Sequence, residues 1–303
     1  MPLVLDTNVV RDLGAGDVDP AGLQEAAREG VSVHLADGTV SEITHQLLTR
    51  SLKWPHWILA RTLLLEILSE DKPVLPGGRV GLAQLGIKGT KSVSRREIKE
   101  ALEQYEAAWT MLVAANRPED FEKFAIRLPE QGITVSLPQR HVRKSYAEER
   151  ETWPSDFAKF HGEIFAVRPD FADLLPAKQD SREALEAYVA IIKESTDRGH
   201  RSAAPKPSVR LDAFLRVEAL ISLRHLRKDH RYNPEKNRND LIDLDLLKYL
   251  AIPAAICTSD AGLIAKVQDS RSWQAKWVLR PADLAQATVR EGLKNLEWPE
   301  VAA

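Results

Sequence analysis

The chain opens on a short unbroken apolar run, Pro2-Leu3-Val4-Leu5, that stops at Asp6-Thr7-Asn8. A run this short with no polar alternation predicts a strand buried on both faces, delivering polar residues at its carboxyl end. Val9 to Leu13 starts a short helix or turn, broken by Gly14 and Gly16. Residues 21–29 repeat at helical spacing with Gly30 as a stop, and 31–36 read as a second strand. A loop from Asp37 then feeds a helix that Ser41 caps, which places Glu42 in its first turn, and helix continues over 54–68. Strand, helix, strand, helix in this order predicts an α/β fold with a parallel sheet.

The pattern changes after residue 71. Residues 72–90 carry Pro73, Pro76, Gly77, Gly78, Gly81, Gly86 and Gly89, the composition of a loop or an exit from the domain. Residues 95–116, 118–128, 143–151 and 181–198 then read as charged amphipathic helices, Pro154-Ser155-Asp156 as a capped helix start, and 133–137 as one alternating strand. Residues 198–207 close this region as a basic, flexible linker. The expected organisation is an α/β domain in two parts, 1–75 and 208–303, separated by a mainly helical insertion over 76–207.

The second part begins with a long helix over 208–230 whose broad apolar side includes Leu211, Leu215, Ile221 and Leu226. A helix over 239–250 follows, apolar around most of its circumference yet carrying Asp240, Asp243 and Asp245. Residues 254–258 predict a buried strand ending near Asp260, 261–268 a helix, 277–279 a last strand and 281–294 a last helix.

The acids in these apolar surroundings need a reason. An ionised Asp is costly to bury unless paired, hydrogen-bonded or bound to a metal. Capping and the helix dipole account for one acid at the start of the 239–250 helix. They do not account for Asp243 together with Asp260. Asp6 and Asp260 both follow strands, Glu42 lies on the helix after the second strand, and Asp243 opens the apolar helix. Strand carboxyl ends share one edge of a parallel sheet, so acids far apart in sequence can meet there. Converging hard oxygen donors suit Mg²⁺ or Mn²⁺, which can activate a water for in-line attack on a phosphodiester. Whether Asp240 joins as a further metal-binding acid is open, and Asp245 reads as an ordinary exposed acid.

Composition narrows the setting without naming a function. The 303 residues are 44% hydrophobic and 28% charged with a net charge of -2, so any basic surface is local. Cys257 is the single cysteine, which excludes an internal disulfide and suits a reducing cytoplasm. The eight histidines lack zinc spacing, and His34 and His45 read as structural. No run is long enough to span a membrane, and the N-terminus lacks a signal-peptide pattern, so a cytoplasmic location is expected. Of the basic runs, the one before Asp240 is placed to hold a phosphate backbone, through Arg227, Lys228, Arg231, Lys236 and Arg238.

Leu3-Val4-Leu5-Asp6-Thr7-Asn8, Glu42 near the start of the helix after the second strand, Asn239-Asp240-Leu241-Ile242-Asp243 opening a helix and Thr258-Ser259-Asp260 ending a strand together resemble the PIN-domain nuclease family. The resemblance covers about 1–70 and 208–285, and its order and spacing carry it rather than any single motif. It implies a three-layer α/β/α PIN-like domain and a metal-dependent endonuclease, most often an endoribonuclease. It implies Asp6, Glu42, Asp243 and Asp260 as metal-binding acids around Mg²⁺ or Mn²⁺. Asp240 or Asp243 could be the third acid, Asp243 being preferred for its distance to Asp260, with Asp240 then a supporting or second-metal ligand. Asn8 and Thr258 or Ser259 are implied as their hydrogen-bonding supports. Many such proteins are toxins of toxin–antitoxin pairs, so an antitoxin or other protein partner, and a homo-oligomer, stay open beside RNA.

Two other readings compete. A haloacid-dehalogenase-like phosphatase also has a strand-end Asp nucleophile, but its second position is normally Asp, where this chain has Asn8. A non-catalytic RNA-binding module on the same fold would have no need to hold four mutually repelling carboxylates together.

Overall fold

The structure, a computed structural model, describes residues 2–76, 94–120, 182–197, 206–226, 240–252 and 254–295, with the single positions 162, 166 and 169. Its centre is a five-stranded, all-parallel sheet: β1 (Pro2–Leu5), β2 (Ser32–Ala36), β3 (Val74–Leu75), β4 (Ala255–Cys257) and β5 (Val278–Leu279), in the order β3-β2-β1-β4-β5. Val4 stands opposite His34 on one side and Ile256 on the other, and Leu5 opposite Leu35 and Cys257. Leu3, Val4 and Leu5 are all fully buried, so both faces of the central strand are covered. The predicted α/β fold with a parallel sheet is therefore what the chain adopts.

The strand order contains a reversal that matters for function. The chain lays β1, β2 and β3 outward to one side, then returns to place β4 and β5 on the other side of β1. The crevice at the carboxyl ends of β1 and β4 is the topological switch point, where open α/β sheets put their ligands.

The helices of the first half are α1 (Thr7–Ala15), α2 (Ala21–Arg28), α3 (Asp37–Leu48) and α4 (Trp54–Ile67). α1 and α4 pack so closely that a Cβ on Gly14 would stand 2.3 Å from the His56 carbonyl oxygen. α1 is longer than expected because Asp6 caps it, and Gly16 ends it at φ 80° in the left-handed region.

α3 departs from expectation at its start. It begins at Asp37, directly after β2, so Ser41 lies inside it and Glu42 in its second turn. The reason is local: the Gly38 amide donates to the Asp37 carboxylate at 2.7 Å and the Asp37 amide to the Tyr249 hydroxyl at 3.1 Å. Two of the first-turn donors are thus satisfied with no side-chain cap at residue 41. β3 is a second departure, because two strand residues sit in the stretch read as Pro- and Gly-rich loop. They pair Leu35 with Val74 and Ala36 with Leu75, a register set by the sheet edge rather than by local composition.

The described helices within 76–207 are built into the same body. α5 (Arg95–Ala114) contributes Ala108, Trp109, Met111 and Leu112 to the main core. Arg61 of α4 holds its end by donating to the Val113 carbonyl at 2.9 Å and the Ala115 carbonyl at 2.5 Å. α6 (Arg182–Asp197) packs on α8 (Asp212–Leu226), burying Leu185, Tyr188, Val189 and Ile192 against Leu211, Leu215, Ala219 and Leu223. Asp212, almost fully buried, ties the pair by accepting from Lys193, Arg216 and the Ser272 hydroxyl.

The predicted helix over 208–230 is broken at Leu211 into α7 (Pro207–Arg210) and α8, the latter described to Leu226. The buried side-chain amide of Gln274 explains the break: it accepts from the Ala213 amide and donates to the Arg210 carbonyl, groups an unbroken helix would use itself, and it also donates to the Leu250 carbonyl. α9 (Asp240–Leu247) tightens into a 3₁₀ turn over Lys248–Ala251 before β4, and α10 (Ala261–Ser270) follows it. The last predicted helix splits into a 3₁₀ turn, Pro281–Ala285, and α11 (Ala287–Lys294). Arg290 of α11 fastens this end to α2 and the residue after it, pairing with Glu25 and Glu29 and donating to the Leu284 and Ala285 carbonyls.

The expected strand at 133–137, the helix at 143–151, the capped start at 154–156 and most of the 118–128 helix and the 198–207 linker lie outside the described residues. No helix of the described residues is long and apolar enough to cross a membrane.

Candidate active site

Asp6 stands at the switch point because β1 ends there and α1 begins there. Its amide still follows the sheet, donating to the Cys257 carbonyl at 3.0 Å. Its carboxylate caps α1, accepting from the Thr7 amide at 2.7 Å. Oδ2 accepts two further bonds, from the Thr258 hydroxyl at 2.7 Å and from Asn8 Nδ2 at 3.2 Å. Burial pushes the Asp6 carboxyl up to about 6; the Thr258 and Thr7 donors work against that rise, and the charges of Glu42 and Asp260 add to it.

Glu42, half-buried on α3, is joined to the residue that follows Asp6: the Thr7 hydroxyl donates to its Oε2. Thr7 is itself buried, so this bond ties α3 to the first turn of α1.

Asp260 follows β4 and caps α10, its Oδ1 accepting from the Gly262 amide at 2.7 Å and the Leu263 amide at 3.0 Å. The fully buried Thr258 serves both strand-end acids, because its hydroxyl donates to Asp6 and accepts from the Asp260 amide at 3.0 Å. Of the two supports expected beside Asp260, Thr258 is thus the one that bonds the acids. Ser259 Oγ is buried and, among the described residues, has no hydrogen-bond partner.

Asp243 is only 8% exposed, carried on α9 among Leu244, Leu246 and Leu247 of the core. Its Oδ2 accepts from the Lys266 ammonium of α10 at 2.7 Å. Burial raises this carboxyl to about 6 as well; Lys266 opposes the rise and the charges of Asp260 and Asp6 add to it. The fold therefore brings all four predicted acids within electrostatic reach: Asp6 feels Glu42 and Asp260, and Asp243 feels Asp260 and Asp6.

Each acid has an oxygen engaged within the chain. Asn8 and Thr258 hold Asp6, Thr7 holds Glu42, amides of α10 hold Asp260 and Lys266 holds Asp243. As they stand, no three His, Cys, Asp or Glu side chains among the described residues are grouped so as to hold an ion. The chemistry of the donor set nonetheless fits a hard divalent cation. All four are carboxylates, and two are driven toward protonation by burial and mutual repulsion that a cation would relieve.

The remaining expectations separate. Asp240 opens α9, but its side chain lies outside the described residues, as do Arg227, Lys228, Arg231, Lys236 and Arg238. Asp245 pairs with Lys248 and keeps a third of its side chain exposed, as an ordinary surface acid does. His34 is buried in β2 with Nδ1 2.5 Å from the Lys72 carbonyl, and burial lowers its pKa, a structural histidine.

Two residues at this edge escaped the sequence. Lys266 is one lysine among many on a helix, and nothing in its spacing shows that it reaches Asp243. Asp37 could have been found, since it follows β2 as Asp6 follows β1. Its carboxylate meets the hydroxyls of Tyr249, at 2.9 Å, and Tyr105, and burial raises its pKa.

Fold and site together define an α/β protein with an all-parallel sheet and strand-end acids, Asp6 and Asp260, joined through Thr258 at the switch point of that sheet. Compared with known families, curated proteins and solved structures, the chain matches no family model, no curated protein and no solved structure.

Proposed function

We propose that the chain is a metal-dependent nuclease of PIN-like fold that hydrolyses phosphodiester bonds, with RNA as the expected substrate. The observation that carries this reading is the convergence of Asp6 and Asp260, strand-end acids from distant parts of the chain that the buried Thr258 hydroxyl joins at one crevice. Burial pushes Asp6 and Asp243 up to about 6, and the charges of Asp260 and Asp6 add to the rise at Asp243. A fold stabilised only by its core has no use for such repulsion, whereas a cation site needs it. The position of the cluster at the switch point supports the reading independently.

In this reading Asp6, Glu42, Asp243 and Asp260 hold Mg²⁺ or Mn²⁺, and the bound ion supplies an activated water and charge for the departing oxygen. Thr258 orients Asp6 and fixes the backbone of Asp260 beside it, while Thr7 orients Glu42. Asn8 donates to Asp6 and has no carboxyl proton to exchange, which counts against the phosphatase alternative.

The test is cleavage of mixed single-stranded and structured RNA and DNA in Mn²⁺ or Mg²⁺. The wild type is expected to cleave RNA, and Asp6→Asn or Asp243→Asn to abolish cleavage with an unchanged circular dichroism spectrum. No metal binding by calorimetry and no cleavage of any substrate would remove the nuclease reading in favour of a binding module.

A further inference from the structure

Lys266 faces the acidic centre for a reason set by helix geometry. α10 starts at the carboxyl edge of the sheet with Asp260 as its cap, and Lys266 lies about a turn and a half further along. Long side chains on a helix lean back toward its N-terminus, so Lys266 is directed at the edge where the acids gather. Its ammonium meets Asp243 Oδ2 at 2.7 Å, with only 17% of the lysine side chain and 11% of the aspartate side chain exposed. This is an enclosed contact between two helices, unlike the solvated pairs Arg96–Glu100 and Lys99–Glu103 on α5.

The contact leaves the two oxygens of Asp243 unequal. Oδ2 is held by the lysine, which restrains the carboxylate's rotation, and among the described residues Oδ1 is the oxygen left for an incoming cation. A lysine is a point-charge donor, suited to gripping one oxygen without competing for both as a bidentate arginine would. It also brings a positive charge into a cluster whose other members repel one another.

We propose that Lys266 is the positioning residue of Asp243, holding Oδ2 so that Oδ1 is presented to the divalent ion and the affinity of the centre depends on this grip. The proposal rests on the reading of the acids as a metal site, and the experiment separates the two. Mn²⁺ alone is titrated calorimetrically into metal-free wild type, Lys266→Met, Lys266→Gln and Lys266→Arg, with thermal melting of each metal-free protein alongside.

Wild type binds Mn²⁺. Lys266→Met and Lys266→Gln bind it at least about tenfold more weakly, the usual effect of removing a residue that orients a ligand. Lys266→Arg keeps the charge but its fork can take both oxygens of Asp243, so it recovers only part of the affinity. The glutamine variant supplies the same comparison if the methionine variant does not fold. Met and Gln variants that bind Mn²⁺ as tightly as wild type or more tightly overturn the proposal, since the lysine would then be a bystander or a competitor of the ion. A lowered melting temperature with unchanged affinity also overturns it, because the lysine would be purely structural. A wild type that binds no Mn²⁺ overturns the metal-site reading itself.

Discussion

The Thr258 hydroxyl donates to Asp6 Oδ2 across 2.7 Å, joining two residues 252 positions apart. The bond spans the crevice between β1 and β4, and the same hydroxyl accepts from the Asp260 amide. One buried side chain thus sets the spacing of two strand-end acids.

Thr258→Val keeps the shape of that side chain and removes both bonds. The donor holds the Asp6 carboxyl down against burial, so its loss raises the Asp6 pKa further. Following the Asp6 carboxyl carbon by NMR across pH should show a midpoint above that of wild type. A midpoint that stays put would mean that Thr258 contributes only packing. Stability is expected to fall by about 1–3 kcal/mol, the cost of losing one bond to Asp6 Oδ2 and the partner of the Asp260 amide.

Asp6 rises from the ordinary 3.8 to about 6 on folding, so the folded chain holds its proton more tightly than the unfolded chain. Stability from this group is present below the ordinary value and is lost as pH climbs from about 4 to about 6, leaving a constant penalty above that window. In metal-free protein Asp6→Asn removes the penalty. Chemical denaturation should find the variant more stable than wild type at pH 7.5, by on the order of 1 kcal/mol or more, and not more stable at pH 4. A variant less stable at pH 7.5 would show that the hydrogen bonds of Asp6 outweigh its desolvation.

Tyr249 joins the turn before β4 to the ends of β2 and β3. Its hydroxyl lies 2.9 Å from both Asp37 Oδ1 and the Leu75 carbonyl, and accepts from the Asp37 amide at 3.1 Å. The hydroxyl has a single proton, so it serves one acceptor at a time. Tyr249→Phe should cost about 1–3 kcal/mol in urea denaturation, because buried groups lose their partner. Mn²⁺ affinity should be unchanged, and a large loss of affinity would place Asp37 in the site as well.

Gly14 allows α1 to approach α4. A Cβ there would meet the His56 carbonyl oxygen at 2.3 Å and Ala60 Cβ at 3.3 Å, and the nearer obstacle is backbone. Gly14→Ala should therefore destabilise the protein by about 1–3 kcal/mol despite the better helix propensity of alanine, as a melting curve would show.

Much of this arrangement can be read along the chain. Runs such as 2–5 and 254–258 contain enough apolar residues to predict buried strands, and a buried strand must end on polar residues, which singles out Asp6 and Asp260. The spacing of Ile242, Leu246 and Leu250 likewise places Asp243 on an apolar helix. These are local properties, carried by periodicity and by the cost of burying charge. Other features depend on who meets whom. β3 is too short to announce itself and exists because β2 offers an edge. α3 starts at Asp37 because Tyr249, 212 residues away, accepts its amide proton, and the helix before α8 breaks because Gln274 takes up the freed groups. Lys266 looks like any surface lysine until α9 and α10 are set side by side. The acids are legible because each belongs to its own strand or helix, whereas the partners that hold them come from distant segments, and a hydrogen bond across the fold leaves no periodic trace in either.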